Sequence, residues 1–345
     1  MKRMNVLVTG IGGPTAQGIL QGLREKDNVY IIGADRRRVT SGNQFCDKTY
    51  QIPRFTQEGE YKKAIAEIVE NEEIDAVYPS LHEEIDIYEA FREELPAAVA
   101  LPQSNHFEIL MNKESIYEYL IEMNLASYVP RYVGFNHPKE LLQLADTHFP
   151  QDEYIVAKQV EGHGAMGFAI LTSRDNFLQA LKKGQNKIID LEDYCEVEAD
   201  ERRIAMEYLE GMEYSVDVFI HKGNVVTAVP RERDGVSSGL VLDGKVVYNE
   251  ELIEAATTIT EKLVTNGFIN LQFIQSEKGY KLTDVNPRFC GSQIMSLGAE
   301  VNFPYLFLQY NVLGEYQSVD PKWNMRMIRY RDHLFVDENK DTTSS

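Results

Sequence analysis

Short β-branched runs alternate with helical stretches through the N-terminal part of the chain, and that alternation leaves few folds open. Residues 5–9 (NVLVT) pass through Gly-Ile-Gly-Gly-Pro into the helical pattern AQGILQGLREKD, and a second run, residues 30–34, ends in Asp35. A helix over residues 61–71 leads into IDAVYPS, where Val77 and Tyr78 close a third run, and HEEIDIYEAFREEL reads as another helix. Strands joined by helices pair in parallel with both sheet faces covered, so a doubly wound α/β domain is predicted here.

From Asn112 the pattern changes. A helix carries Ile116, Leu120 and Ile121 on one side, VPRYVGF follows, and residues 138–147 form a further helix. Glycine-punctuated β runs then succeed one another: YIVAKQV, FAILTS, RRIAMEYL, EYSVDVFI and NVVTAVP. A helix over residues 250–266 precedes the hairpin INLQFIQSEKGYKLTDVN, and NMRMIRYRDHLFV closes the folded part before a polar tail. This part is predicted to be α+β, mostly antiparallel sheet with a few helices.

The formal charge of −19 opposes polyanionic partners, so neither nucleic acid nor an anionic membrane surface is expected, and any phosphate ligand must meet locally concentrated basic groups. Cys46, Cys195 and Cys290 lie far apart without metal-ligand spacing, which argues against zinc and against a disulfide framework. No apolar run approaches the ~18 residues that span a bilayer. A cytoplasmic protein is expected.

Two glycine loops differ in context. Residues 162–167 spell Gly-His-Gly-Ala-Met-Gly, a literal GxGxxG, yet a strand precedes it and β-prone FAILTS follows, where a dinucleotide fingerprint would open a helix. Such a loop between antiparallel strands suits a lid whose backbone N–H groups close over phosphates, with Lys158 on the entering strand as a point charge. The N-terminal loop, with Gly10, Gly12 and Gly13, does open a helix. It lacks the third glycine, Thr15 standing there, so a substrate-facing role is preferred to a dinucleotide.

The hairpin near the end carries the most chemistry. With residues 277–279 as a three-residue turn and Gly279 left-handed, Gln272 faces Asp284 and Asn270 faces Asn286. These four share one face, and Leu271, Phe273, Leu282 and Val285 are assigned to the other. A face of oxygen-bearing side chains suits Mg2+, a hard cation; a solvated sheet face is the plain alternative. Asn286-Pro287-Arg288 ends the strand and sets a guanidinium beside the expected metal.

In this order the motifs resemble the ATP-grasp superfamily, and within it the carbamoyl-phosphate-synthase-like proteins and carboxylate–amine ligases. Asn112-Lys113-Glu114 resembles the first nucleotide lysine, AKQVEGHGAMGF the second lysine with its phosphate lid, MEYLEGMEYSVDV the adenine hinge, and LQF with TDVNPRF the metal-binding strands. The N-terminal part, with IIGAD and VYPSLHEE, resembles the domain that precedes ATP-grasp folds. The resemblance implies a pre-ATP-grasp domain over residues 1–104, ATP-grasp lobes over 105–210 and 211–335, and a flexible tail over 336–345.

It further implies that Lys113, Lys158, Gly162, His163, Gly164 and Gly167 meet ATP phosphates, that Glu207, Tyr208 and Leu209 present backbone groups to adenine, and that Glu213 holds the ribose. Gln272, Asp284 and Asn286 fall at the metal and phosphate ligands, for Mg2+ with Mn2+ as an alternative. The family more often has glutamate at the position of Asp284, which leaves the number of ions open. Arg288 would hold the transferred phosphoryl group. Arg231 and Arg233, in the expected loop PRERDGVSSG, are candidates for an incoming carboxylate or the γ-phosphate, against a reading as balanced surface charge. Ser80, Glu83, Glu84 and the Gly12-Gly13 loop are candidates for the other substrate.

The implied activity is ATP-dependent joining of a small-molecule carboxylate and an amine, amino acid or peptide included, through an acyl phosphate. Carbamoyl-phosphate-type phosphorylation, a non-catalytic ATP sensor and a dinucleotide oxidoreductase are the rival readings. A homodimer is compatible with all of them.

Overall fold

The computed structural model describes residues 2–162, 167–237, 240–330 and 332–336. These divide into two compact units. One gathers the chain up to Asn105, Ser215–Leu271 and the chain from Asn286 onward; the other takes His106–Tyr214 and Gln272–Val285. The residues of the expected tail beyond 336 lie outside the described residues.

The first unit opens on a five-stranded sheet of β1 (Met4–Thr9), β2 (Val29–Asp35), β3 (Lys48–Gln51), β4 (Ala76–Tyr78) and β5 (Ala98–Val99), ordered β3-β2-β1-β4-β5 and parallel throughout. The near-continuous apolar runs of β1 and β2 are what a sheet covered on both faces demands. Pro14 starts the first helix, Pro14–Arg24, which buries Ile19, Leu20 and Leu23. The helix expected over HEEIDIYEAFREEL is a short α-helix at Ile85–Phe91 with 3-10 segments at His82–Glu84 and Arg92–Glu94 on either side.

The second unit contains a five-stranded sheet of β6 (Tyr132–Phe135), β7 (Tyr154–Gln159), β8 (Ala169–Thr172), β9 (Ile188–Asp190) and β10 (Arg203–Glu207), ordered β6-β10-β7-β8-β9. Only the β8–β9 pairing is parallel among those in register. Its core holds Phe135, Leu141, Phe149, Ile155, Leu171 and Ala205. In the helix Lys113–Glu122 the buried residues are Ile116, Tyr117 and Leu120. Ile121, expected with them, is exposed, because five helical positions from Ile116 carry a side chain well round the cylinder.

A six-stranded sheet comprises β11 (Glu213–His221), β12 (Asn224–Ser237), β13 (Leu240–Val246), β14 (Gly267–Ser276), β15 (Gly279–Asn286) and β16 (Arg326–Ile328), ordered β15-β14-β11-β12-β13-β16. In the first unit, Phe219, Val229, Val241 and Phe268 from this sheet share one core with β1, β2 and the helix Pro14–Arg24. The helix Glu250–Leu263 is capped by Asn249, whose side chain accepts from Leu252 N, and it ends before the expected residue 266.

Two readings of this sheet are corrected. The segment PRERDGVSSG is no loop through Arg231 and Arg233: β12 runs on to Ser237, with Arg231 opposite Val246 and Arg233 opposite Gly244. Arg231 is tolerated there because its partner, Asp217, lies on another strand, which local composition does not reveal. Leu282 cannot share a face with Val285, since side chains alternate along a strand; it has the parity of Asp284 and Asn286 and is fully buried. With Tyr280, Lys281, Leu282, Val285 and Asn286 all buried, β15 is covered on both faces and is not a half-solvated strand.

Candidate active site

In the second unit three expected residues meet. Asn112 caps the helix Lys113–Glu122 by accepting from Ser115 N at 3.1 Å, which fixes Lys113 in its first turn. The Lys113 ammonium lies 3.4 Å from Asp284 Oδ1 on β15 and donates to Gly162 O at 3.2 Å. Lys158 on β7 is buried and donates to Thr283 O, next to Asp284, at 2.7 Å. Burial pushes the Lys158 ammonium down to about 8; Asp284 opposes that shift and Lys113 adds to it.

Gly162 and Gly167, at the ends of the expected phosphate loop, both take positive φ, +105° and +64°. His163 and Gly164, expected with them, lie outside the described residues.

The expected hinge begins where β10 ends. Glu207 is buried, and its carboxylate accepts from Arg131 N at 2.9 Å while its own N–H donates to Arg131 O. That spends the polar groups of Glu207 within the sheet and leaves Tyr208 and Leu209 as the first residues beyond it. The Tyr208 ring packs on Tyr154 with centroids 5.6 Å apart. Gly211 has φ +156°, and a Cβ there would stand 1.7 Å from Gln275 O, so the hinge passes too close to β14 for any other residue. Glu213 is exposed at the start of β11.

The hairpin behaves as its turn chemistry requires: Gly279 takes φ +90°, and Asn286 Nδ2 lies 3.5 Å from Asn270 Oδ1 across the strands. Asn270 and Asn286 are buried, whereas Gln272 and Asp284 are partly exposed. Among the described residues no group of three or more His, Cys, Asp or Glu gathers to form a metal cage. The donors Gln272, Asp284 and Asn286 nevertheless fit Mg2+, which is commonly held by one or two carboxylates while substrate phosphates and water complete the octahedron. The Lys113 ammonium beside Asp284 is a cation already drawn to that carboxylate.

Past the hairpin, Arg288 is partly buried and donates to Phe289 O at 2.8 Å. Arg233 is partly exposed on β12. Arg231, also expected at the substrate, turns inward: it is fully buried and donates to Asp217 Oδ1 at 2.6 Å and to Ser292 O at 2.8 Å. Burial opposes its charge, but Asp217 and Cys290 outweigh burial and raise its pKa. A guanidinium so enclosed directs its N–H groups at Asp217 and Ser292 within the first unit.

The N-terminal loop is filled by its own side chains. Asp35 Oδ2 accepts from Gly12 N at 2.9 Å, and Arg37 donates to both Asp35 oxygens. A Cβ on Gly12 would lie 2.1 Å from Arg37 Nη2, so the glycine makes room for this arginine. The amide that would face a pyrophosphate is thus taken by Asp35, which removes the basis of the dinucleotide reading. Ser80 and Glu84, expected toward the other substrate, are only 2% exposed. Ser80 Oγ donates to Gly10 O, and Glu84 accepts from Thr9 Oγ1 at 2.7 Å and Tyr61 OH at 2.8 Å.

Nothing in local sequence marked Asp217, Asn270's partner, or Asp35's capture of Gly12. The one available signal was that acidic and amide residues sat at inward positions of apolar strands.

Residues 199–332 match the family described as "ATP-grasp in the biosynthetic pathway with Ter operon", and residues 6–102 match "PylC-like, N-terminal domain". No curated protein is a significant match. Among solved structures, the fold is similar to L-amino acid ligase from Bacillus licheniformis, at 15% identity over 90% of this chain and 74% of that one, with a TM-score of 0.61. It is similar to N5-carboxyaminoimidazole synthetase from Staphylococcus aureus complexed with ADP, at 14% identity over 93% and 81% of the two chains, TM-score 0.67. It is also similar to the biotin carboxylase domain of Hydrogenobacter thermophilus 2-oxoglutarate carboxylase, solved with MgADP, ADP and bicarbonate, at 14% identity over 94% and 74%, TM-score 0.68. The chain therefore has the fold of these ATP-grasp proteins, with a PylC-like N-terminal domain matched over residues 6–102 and an ATP-grasp model matched over residues 199–332.

Proposed function

We propose that the chain is an ATP- and Mg2+-dependent ligase that activates a carboxylate as an acyl phosphate and passes the acyl group to an amine. The observation that carries this reading is the gathering of Lys113, Lys158 and Asp284 at one strand of an ATP-grasp protein. Two ammonium groups and a partly exposed carboxylate are what a triphosphate with its metal requires.

In the first step a substrate carboxylate oxygen attacks the γ-phosphorus, the bond from that phosphorus to the β,γ-bridging oxygen breaks, and ADP leaves with the electron pair. In the second, the amine nitrogen attacks the acyl carbon, phosphate departs, and the nitrogen yields a proton to solvent. Lys113 and Lys158 hold phosphate oxygens. Arg288 meets the phosphoryl group in transfer with paired N–H donors. Arg233 is assigned to the incoming anion.

Tyr208 and Leu209 offer peptide groups to adenine, and Glu213 accepts from the ribose hydroxyls. Asp284, Gln272 and Asn286 would hold Mg2+, which when bound neutralises charge on the phosphates. Small-molecule carboxylates and amines are the proposed substrates, and the likeness to an L-amino acid ligase favours amino acids among them. A cytoplasmic setting agrees with cysteines that are all unpaired.

The test is an ADP-release screen that crosses carboxylic acids with amines, followed by mass spectrometry of the product. Bicarbonate belongs among the acids, because one similar structure was solved with it. Release that needs both partners supports the ligase. Tight ATP binding without release under any pair would identify a sensor and overturn the reading.

A further inference from the structure

A chain of polar contacts runs from Asp217 through Asn270 to Asn286. Asp217 is fully buried and accepts from the Arg231 guanidinium at 2.6 Å, and a carboxylate in such a pair offers only acceptors. Its Oδ2 accepts from Ser296 Oγ at 2.7 Å. Its Oδ1 stands 2.9 Å from the Asn270 amide, and Val216 O stands 3.4 Å from the same amide atom. Two acceptors on one side mean that Asn270 turns its NH2 group there. Its oxygen then faces β15, where Asn286 Nδ2 lies 3.5 Å away. Asn286 must donate, and its own oxygen is directed away from Asn270.

We infer that Asn270, held by Asp217, is a positioning residue that turns the Asn286 amide so that its oxygen is presented to the metal. The inference rests on the proposed reading of Asn286 as a metal ligand. An asparagine offers a metal only one of its two ends, since the NH2 group cannot ligate. A carboxylate would need no such guidance. An amide at this position therefore depends on a neighbour of known polarity, and the fully buried Asn270 supplies it. Burial makes the direction hard to reverse, because a flipped Asn270 would set its oxygen against the Asp217 carboxylate and leave its NH2 group against that of Asn286.

The experiment measures Mn2+ binding to the full chain with ADP, by calorimetry or paramagnetic resonance, without reference to turnover. Asn270→Ala breaks the chain but leaves the Asp217–Arg231 pair in place, and it should weaken Mn2+ binding about ten- to hundredfold. In an Asn286→Asp background the same substitution should cost less than about twofold, because either carboxylate oxygen can ligate. Equal losses in both backgrounds would mean that Asn270 acts only through stability, and no loss in either would mean that it positions nothing; each overturns the inference. Asn286→Ala reports separately on the underlying reading: unchanged Mn2+ affinity there would remove Asn286 from the metal site altogether. Asn270→Ser keeps a polar side chain yet is too short to join Asp217 to Asn286, and it must give the same pattern should the alanine variant not fold.

Discussion

Lys113 Nζ stands 3.4 Å from Asp284 Oδ1, so the cation that opens one helix neutralises the carboxylate proposed to hold the metal. Each group has a second use on the proposed reading, Lys113 with a phosphate and Asp284 with Mg2+. Nucleotide with its metal can then exchange with the pair at little net cost in charge.

Asp284→Asn should lower ADP release by about a hundredfold or more, since the metal's charge neutralisation is worth several kcal/mol. Stability should change by no more than about 1 kcal/mol, because both partners are partly exposed. A Mg2+ titration of ADP release, with a urea midpoint measured alongside, checks both halves. Normal turnover in the purified variant would end the metal assignment.

Arg288→Ala should reduce kcat far more than ATP affinity if the guanidinium acts on charge that develops in transfer. Loss of one such donor costs roughly 2.7 to 4 kcal/mol, about a hundred- to thousandfold in rate. Lysine should restore only part, having charge without the paired geometry. Calorimetry of nucleotide binding separates the two effects, and equal losses in binding and rate would make Arg288 a ground-state contact.

Arg231→Met should destabilise the protein by roughly 3 to 5 kcal/mol, because Asp217 would remain buried with its charge uncompensated. The urea midpoint is the measurement. A variant of ordinary stability with lost activity would return Arg231 to the substrate.

Glu84 gives the chain a pH signature. Burial, opposed by hydrogen bonds from Thr9 and Tyr61, raises its carboxyl to about 7 from an ordinary 4.5. The folded state therefore holds this proton more tightly than the unfolded one between those values. Its contribution to stability is fully present below about 4.5 and is lost as pH rises through about 7, a change on the order of 3 kcal/mol. Among the described residues Tyr61 and Tyr88 are the titratable groups coupled to it, and burial keeps their own pKa values high. Glu84→Gln should flatten this part of the stability profile. Parallel unfolding midpoints for the two proteins at pH 5 and pH 8 would refute the assignment.

The sequence by itself determined the order of strands and helices, because hydrophobic period and turn residues act over a few positions. The Asn112 cap, the left-handed Gly279 and the facing of Asn270 with Asn286 all follow from such local rules. Tertiary structure alone decided which polar groups are sealed from water. Arg231 looked like a loop arginine until Asp217, 14 residues away, and Ser292, 61 residues away, closed around it. Ser80 and Glu84 looked like substrate contacts until Gly10 O and the hydroxyls of Thr9 and Tyr61 took their polar atoms. Burial of a charge is favourable only when a partner arrives from elsewhere in the chain, and that arrival has no period and no spacing to read.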